Sequence, residues 1–461
     1  MLPAVFYFII FFINSHTIIS NKKMKGITLF ASGGIGDLAF KGAGINMILA
    51  NEYVYERAQV FAYNYPDCEV VIGDITLEKD NIISRTKELL NGDALDFLVA
   101  TPPCQGMSKN GRGTLLNLIR KGERPKFDPR NQLIVPTIEI IQKLLPDTVV
   151  FENVPEMKDT FIEIGSEIVN IIDFVTEELT KLGYVGKAEV VEFANYGVPE
   201  RRQRLITIFS KQKNLVEFFN INKSFVPEPT HSQYSNNSLK PWVTVRDAIS
   251  NLPKLDAISK DLAEDKDLPF HRVPILDEEK YYWISNTPAE SGAFDNQCVK
   301  CGCENNKTHG SKKNADGINK ANEDTPIRCY NCGELLPRPW VKKNNEYRLM
   351  KGYTSSYRRM KWDMPANALT TNLSYACSDS KIHPEQNRVL SLKEAFIIHT
   401  IDDYEYFWTR NDNKKVSDKL IREIIGESIP PKGLEKIIMH LVSIYNNEKI
   451  LKMKPKQLDL F

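Results

Sequence analysis

Three short runs place reactive side chains directly after apolar, strand-like stretches. Phe97–Ala100 leads into Thr101-Pro102-Pro103-Cys104-Gln105. The two prolines hold that turn extended, so Cys104 is expected to project from the strand end as a candidate thiol nucleophile. A lone cysteine is more often a small buried hydrophobe, but the residues that follow favour chemistry. Gly106, Gly111 and Gly113 alternate with Lys109, Arg112, Arg120, Lys121, Arg124 and Lys126. A mobile basic loop of this kind suits a lid over a phosphodiester backbone. The second run is Thr148–Phe151 followed by Glu152-Asn153-Val154, where a carboxyl on an adjacent strand end can reach the pocket of Cys104. The third is Tyr196-Gly197-Val198-Pro199-Glu200-Arg201-Arg202-Gln203-Arg204. Arg202 and Arg204 share one face if this run is extended, and are expected to orient Glu152 or clamp a phosphate.

A glycine run, Ser32-Gly33-Gly34-Ile35-Gly36, follows the strand-like Ile27–Phe30. Glycines there allow a backbone to approach a cofactor at a helix N-terminus. Gly34-x-Gly36-x-x-Ala39 fits a dinucleotide fingerprint, with Glu52 where a ribose-binding acid belongs. By itself this leaves NAD, flavin, S-adenosylmethionine and a mere tight turn all open. Asp74, in Gly73-Asp74-Ile75, is a second carboxylate on the same rim, or a helix cap.

Of the eight cysteines, five lie between 298 and 332. Cys298-x-x-Cys301 and Cys329-x-x-Cys332 form two knuckles with 27 residues between them, a spacing that suits one tetrahedral structural zinc. Cys303 and His309 read as bystanders. Four protein ligands leave no open position for a catalytic metal.

The elements that must carry these residues alternate. Strands are expected at Ile27–Phe30, Glu69–Ile72, Phe97–Ala100, Thr148–Phe151, Ala188–Phe193 and Leu205–Phe209, and helices near 37–50, 131–144, 163–182 and 434–446. That order predicts an α/β fold, a doubly wound parallel sheet, with ligands beyond the carboxyl ends of its strands. Residues 24–211 read as the catalytic and cofactor-binding domain. Residues 212–358 read as a smaller irregular domain holding the zinc ribbon, and 359–461 as a segment completing both. Residues 1–23 read as an upstream-translated leader before a functional start at Met24. The apolar run Leu2–Ile13 has no Lys or Arg ahead of it, unlike a secretory signal, and Asn14 to Thr17 interrupt it before it could span a membrane.

The 461 residues are 42% hydrophobic and 26% charged, an ordinary globular balance that excludes a chain disordered throughout. Sixty basic against 59 acidic residues give a net charge of +1. Contact with nucleic acid must then come from local patches. One such patch is Arg338, Lys342, Lys343, Arg348, Lys351, Arg358, Arg359 and Lys361, interleaved with Trp340, Tyr347, Tyr353 and Tyr357.

Together, the motifs around Cys104, Glu152 and Arg202-x-Arg204 have the order and spacing of one family: the chain resembles the DNA cytosine-5 methyltransferases of bacteria and phages. Pro365-Ala366-Asn367-Ala368-Leu369-Thr370-Thr371, Arg388-Val389-Leu390-Ser391 and Ile425-Gly426-Glu427-Ser428-Ile429-Pro430 add to the resemblance. It covers 27 to about 210 and about 359 to 445. It implies a Rossmann-like S-adenosylmethionine-dependent methyltransferase fold. Cys104 matches the nucleophile that attacks carbon 6 of a flipped-out cytosine. Glu152 matches the acid on ring nitrogen 3, and Arg202 and Arg204 the pair that positions it. Phe30, Gly34, Glu52, Asp74, Ile75, Pro103 and Leu133 match the cofactor cleft.

What the resemblance implies is methyl transfer from S-adenosylmethionine to carbon 5 of cytosine in a specific duplex DNA sequence. The enzyme would be a cytoplasmic monomer without membrane contact, in a restriction-modification or phage-defence setting that leaves room for a cognate restriction endonuclease. The rivals are an RNA cytosine-5 methyltransferase, a catalytically dead DNA-binding homologue and, on the glycine run only, a dehydrogenase. The sequence departs from the family at Ser32, Ile35, Glu200 (often glutamine) and Glu427 (usually asparagine).

Overall fold

The computed structural model describes residues 23–103, 128–234, 238–313, 319–322, 324–351 and 354–446. Cys104, the basic loop through Lys126, Tyr353 and nearly all of the 1–23 leader lie outside the described residues.

Seven strands form the central sheet: β1 (Met24–Leu29), β2 (Ile45–Glu52), β3 (Glu69–Ile72), β4 (Phe97–Ala100), β5 (Thr148–Asn153), β8 (Val185–Glu192) and β9 (Gln203–Ser210). A hairpin of β6 (Phe161–Ile164) and β7 (Glu167–Asn170) stands apart from it. The sheet order is β3-β2-β1-β4-β5-β9-β8. β3, β2, β1, β4 and β5 pair in parallel, whereas β9 runs antiparallel to both of its neighbours. The expected parallel sheet is these five strands, and β9 adds an antiparallel member to it. Order reverses between β1 and β4, which is where an open α/β sheet opens a crevice for a ligand.

The central strands are buried on both faces. Val149, Val150 and Phe151 are at most 2% exposed, and burying each such side chain stabilises by about 1.5–3 kcal/mol. On one face lie α3 (Ile75–Leu90), α4 (Ile134–Leu144) and α5 (Ile171–Lys181). On the other lie α1 (Asp37–Gly42), α6 (Lys213–Asn222) and α11 (Pro431–Tyr445). Leu434, Ile437, Ile438 and Leu441 repeat at helical spacing and form the buried stripe of α11. Leu215 and Phe218 of α6 join the same cluster, so the core around the sheet runs on past residue 211.

A third core joins α7 (Val245–Ile249), α9 (Leu392–Ile398) and α10 (Asp418–Glu427) to Ile35 of the glycine loop and to Val60 of α2 (Tyr55–Asn64). A fourth surrounds Trp283 of α8 (Glu278–Ser285), with Tyr357, Ile382 and Val389.

Two expected helices are corrected. The span 37–50 is helical only to Gly42, after which Ile45–Glu52 is strand β2. A strand buried on both faces reads as a continuous apolar run, which periodicity cannot tell from a buried helix. The span 163–182 begins as the β6–β7 hairpin, turning at Gly165 with φ +63°, and becomes helical at Ile171.

Candidate active site

The carboxyl ends of β1, β2, β3, β4 and β5 bring most of the sequence-predicted residues to one rim. Thr101 closes the β1/β4 crevice: its N–H donates to Leu29 O at 3.2 Å and its hydroxyl to Phe30 O at 3.0 Å. Asn153 ties the next pair of strand ends together. Its side-chain amide donates to Pro102 O at 3.0 Å, so the segment that enters Cys104 is anchored to the strand that carries Glu152.

Glu152 is 8% exposed. Arg204 Nε lies 2.6 Å from Glu152 Oε1. The N–H is not aligned on that oxygen, and among the described residues Oε1 accepts no hydrogen bond. A buried carboxylate oxygen beside a guanidinium, with hydrogen-bonding capacity left over, is what a polar ring edge entering the pocket would take.

The expectation that Arg202 and Arg204 share one partner is corrected. Arg202 is 1% exposed and turns to Glu200 at 3.3 Å, Leu369 O at 2.6 Å, Gly426 O at 2.9 Å and Ser428 O. The cause is local: Glu200–Arg201 pairs with Ala366–Asn367, and the ladder to β8 begins only at Gln203. The run is therefore not one continuous strand. Glu200, one of the departures from the family pattern, is fully buried here. Its Oε2 meets His399 Nδ1 at 2.7 Å, its Oε1 accepts from Leu369 N at 2.7 Å, and His399 Nε2 meets Ser428 Oγ at 2.9 Å. Burial alone would raise the Glu200 carboxyl, but His399 and Arg202 beside it hold it down to about 2. Sequence reasoning missed His399 because its partner lies 199 positions away.

The cofactor rim is a strained loop over an acid. Phe30, Ser32 and Gly34 have φ of +62°, +49° and +82°. At Gly34 a Cβ would sit 2.5 Å from the Tyr65 ring, so glycine is required there. Glu52, 5% exposed, accepts from Ser32 N at 2.7 Å and Val54 N at 2.8 Å. Burial raises its carboxyl, opposed by those two N–H groups and by Arg57. Ser32 Oγ is buried with no hydrogen-bond partner among the described residues. Phe30 and Leu133 pack on the cluster that contains Ile75, which is itself a core side chain. Asp74 caps α3, accepting from Thr76 N at 2.8 Å. Pro103 is half-buried at the exit of β4. Tyr53, next to Glu52, was not singled out from the sequence; it is 71% exposed and offers an aromatic face on this rim. Glu52, Ser32 Oγ and the exposed Tyr53 ring are thus polar and aromatic groups of this rim.

Cys298, Cys301, Cys329 and Cys332 come together, all four sulfurs lying within 4.8 Å of one another. Cys298–Cys332 and Cys301–Cys329 are each 3.6 Å apart. Zinc bonds of about 2.3 Å at tetrahedral angles require sulfurs about 3.8 Å apart, so the cluster fits the ion. His309 instead stacks on Phe294 at 4.6 Å and meets Thr325 Oγ1 at 2.8 Å.

The basic stripe is corrected. Arg338 and Arg359 are buried and hold loop carbonyls, including Asn296 O, Pro326 O, Thr287 O and His383 O, and Tyr357 is core. Charge alone does not separate a solvated arginine from one that satisfies buried carbonyls. What remains exposed is Lys351, Lys361 and a hairpin of β10 (Trp340–Lys343) and β11 (Glu346–Leu349), carrying Lys342, Lys343 and Arg348.

The family model described as C-5 cytosine-specific DNA methylase matches residues 24–443. The chain belongs to that family. It is a DNA cytosine-5 methyltransferase, with the mixed α/β fold and crevice described above. The Type II methyltransferase M1.HgaI of Avibacterium volantium is 29% identical over 426 residues, 90% of this chain and 97% of that relative. The Type II methyltransferase M1.HphI of Haemophilus parahaemolyticus is 24% identical over 456 residues, 97% of this chain and 96% of its own. Among solved structures, the S. pombe Dnmt2 methyltransferase aligns over 92% of this methylase and 99% of itself, at 11% identity and a TM-score of 0.48. Among the described residues, no helix is long and apolar enough to cross a membrane.

Proposed function

We propose that this methylase modifies cytosine through a covalent adduct on Cys104, with Glu152 and Arg204 serving the ring and Arg202 holding the scaffold. The observation that carries this is the Arg204–Glu152 pair on the rim that Asn153 ties to Pro102. Cytosine carbon 5 is a poor nucleophile. Addition of a thiolate at carbon 6 gives it enamine character, and in this reading Glu152 delivers a proton to ring nitrogen 3 as charge develops there. In duplex DNA the neighbouring bases cover the ring faces through which both carbons react, so the base must leave the stack.

S-adenosylmethionine supplies the methyl group when bound. Phe30, Gly34, Glu52, Asp74, Ile75, Pro103 and Leu133 hold it in this reading, with Glu52 on the ribose. The buried Ser32 Oγ and the doubly bonded Glu52 support a rim built for polar groups. The cysteine cluster holds one structural zinc that staples residues 298–332.

The β10–β11 hairpin is the DNA-contacting element of the 212–358 region. Its root is fixed by Trp340 against Trp283 at 5.3 Å and Tyr347 at 5.0 Å. Its tip, Asn344-Asn345, turns with φ of +49° and +63° between exposed Lys343 and exposed Glu346, with Lys342 and Arg348 exposed further along the two strands. A two-stranded ribbon of this size fits the major groove. The Type II relatives support a restriction-modification setting; in this reading the enzyme acts in the cytoplasm as a monomer, beside a cognate endonuclease.

Bisulfite sequencing of DNA from cells expressing the protein tests the reading. It should show 5-methylcytosine at one recurring sequence, and methyl transfer to transfer RNA instead would refute it.

A further inference from the structure

The C-terminal part of the chain forms one wall of the cofactor rim. A Cβ at Gly33 would sit 2.8 Å from Ile424 and 2.9 Å from the Tyr406 hydroxyl, so α10 and the segment before it press directly on the glycine loop. Tyr406 Oη donates to Gly33 O at 2.6 Å. Ile429 lies where a Cβ at Gly36 would meet it, at 3.0 Å.

Packing on Ile35 and Val60 and hydrogen bonds at Asn64 and Gln59 join this wall to the rim, and one ion pair among the described residues adds to them. Arg57, in the first turns of α2, meets Glu427, the last residue of α10, through two contacts. Nη1 lies 2.5 Å from Oε2, and Nη2 donates to Oε1 at 3.2 Å. The side chains are 17% and 28% exposed, so solvent screens them only partly. Arg57 also serves a second acid. Its charge favours ionised Glu52 while that of Glu427 opposes it, which places the guanidinium in the field of both carboxylates. Glu427 stands where the family usually carries asparagine, and a neutral amide would leave this charge balance unmade.

We propose that Arg57 and Glu427 form a latch that clamps the C-terminal wall onto the rim and keeps Glu52 in place. They are positioning residues for the methyl donor and not for DNA. The latch rests on the reading of this rim as the S-adenosylmethionine site. It differs from a generic surface ion pair because it closes the rim across 370 positions of sequence. It also differs from the Glu200–His399 cluster, which lies wholly inside the protein.

The test is calorimetric titration of S-adenosylmethionine into the full chain without DNA, for Arg57→Gln, Glu427→Gln, Glu52→Gln and the exchange R57E/E427R. Each single latch variant should bind the donor about tenfold more weakly, between the effects of exposed and buried pairs. Duplex affinity, read by filter binding, should be unchanged. The exchange variant should regain part of the loss: it restores the pair, but sets a carboxylate beside Glu52 where Arg57 stood. Thermal melts establish that each variant is folded. Wild-type donor affinity in both single variants would overturn the latch. So would an exchange variant that is folded yet as weak as the singles. If Glu52→Gln binds the donor normally, the rim assignment falls, and the latch with it.

Discussion

Arg204 and Arg202 stand two residues apart and do different work: Arg204 Nε lies 2.6 Å from Glu152 Oε1, while Arg202 is buried among three carbonyls from two distant segments. The roles are separable by substitution. Arg204→Ala should slow methyl transfer by about 100-fold or more, the scale of losing a charged group at a reacting centre. Its melting temperature should barely move. Arg202→Met should instead cost about 3–5 kcal/mol, because Glu200 is left buried with less compensation. Paired kinetics and denaturant melts check both arms.

The zinc reading makes its own claim. Freshly purified protein should carry one zinc per chain by elemental analysis. Cys329→Ser should release it and expose 298–332 to proteolysis, since metal binding supplies the folding free energy of so small a ribbon. Donor binding, on the far rim, should persist. A metal-free protein with the ribbon protease-resistant would contradict the assignment.

Acid stability has a predicted slope. His383 is 2% exposed, and its Nδ1 accepts from Glu385 N at 3.2 Å and Gln386 N at 3.0 Å, which only a neutral imidazole can do. Burial, with Arg388 nearby, pushes it down to about 3. The unfolded chain takes up this proton near pH 6.5 and the folded chain does not. Stability contributed by neutral His383 is therefore present above pH 6.5 and lost as pH falls from there towards 3, at up to about 1.4 kcal/mol per pH unit. Urea melts across that range should show His383→Asn with a slope shallower by one proton. An unchanged slope would mean that His383 titrates normally.

The sheet and its rim were largely legible in sequence because strand ends carry the chemistry. Phe97–Ala100 and Glu69–Ile72 have the limits expected, and Glu152 sits at the end of the strand assigned to it. Strand β2 was not legible, since burial on both faces erases the alternation that marks a strand. Nor were the partners of Arg202 and Glu427, set by contacts 167 to 370 positions apart. The basic stripe failed in part for a related reason. Arg338 and Lys342 look alike in sequence, and only the fold sends one to buried carbonyls and the other to solvent.

The central claim is a covalent bond from Cys104 to the target base. In this account attack depends on a base held against the thiol by Glu152 and Arg204. A duplex with 5-fluorocytosine at the methylated position blocks the final elimination, because fluorine replaces the proton that must leave carbon 5. Incubation with S-adenosylmethionine, digestion and mass spectrometry should map the trapped nucleotide to the peptide containing Cys104, and Cys104→Ala should give neither adduct nor product. An adduct on another cysteine, or normal turnover by Cys104→Ala, would contradict the account.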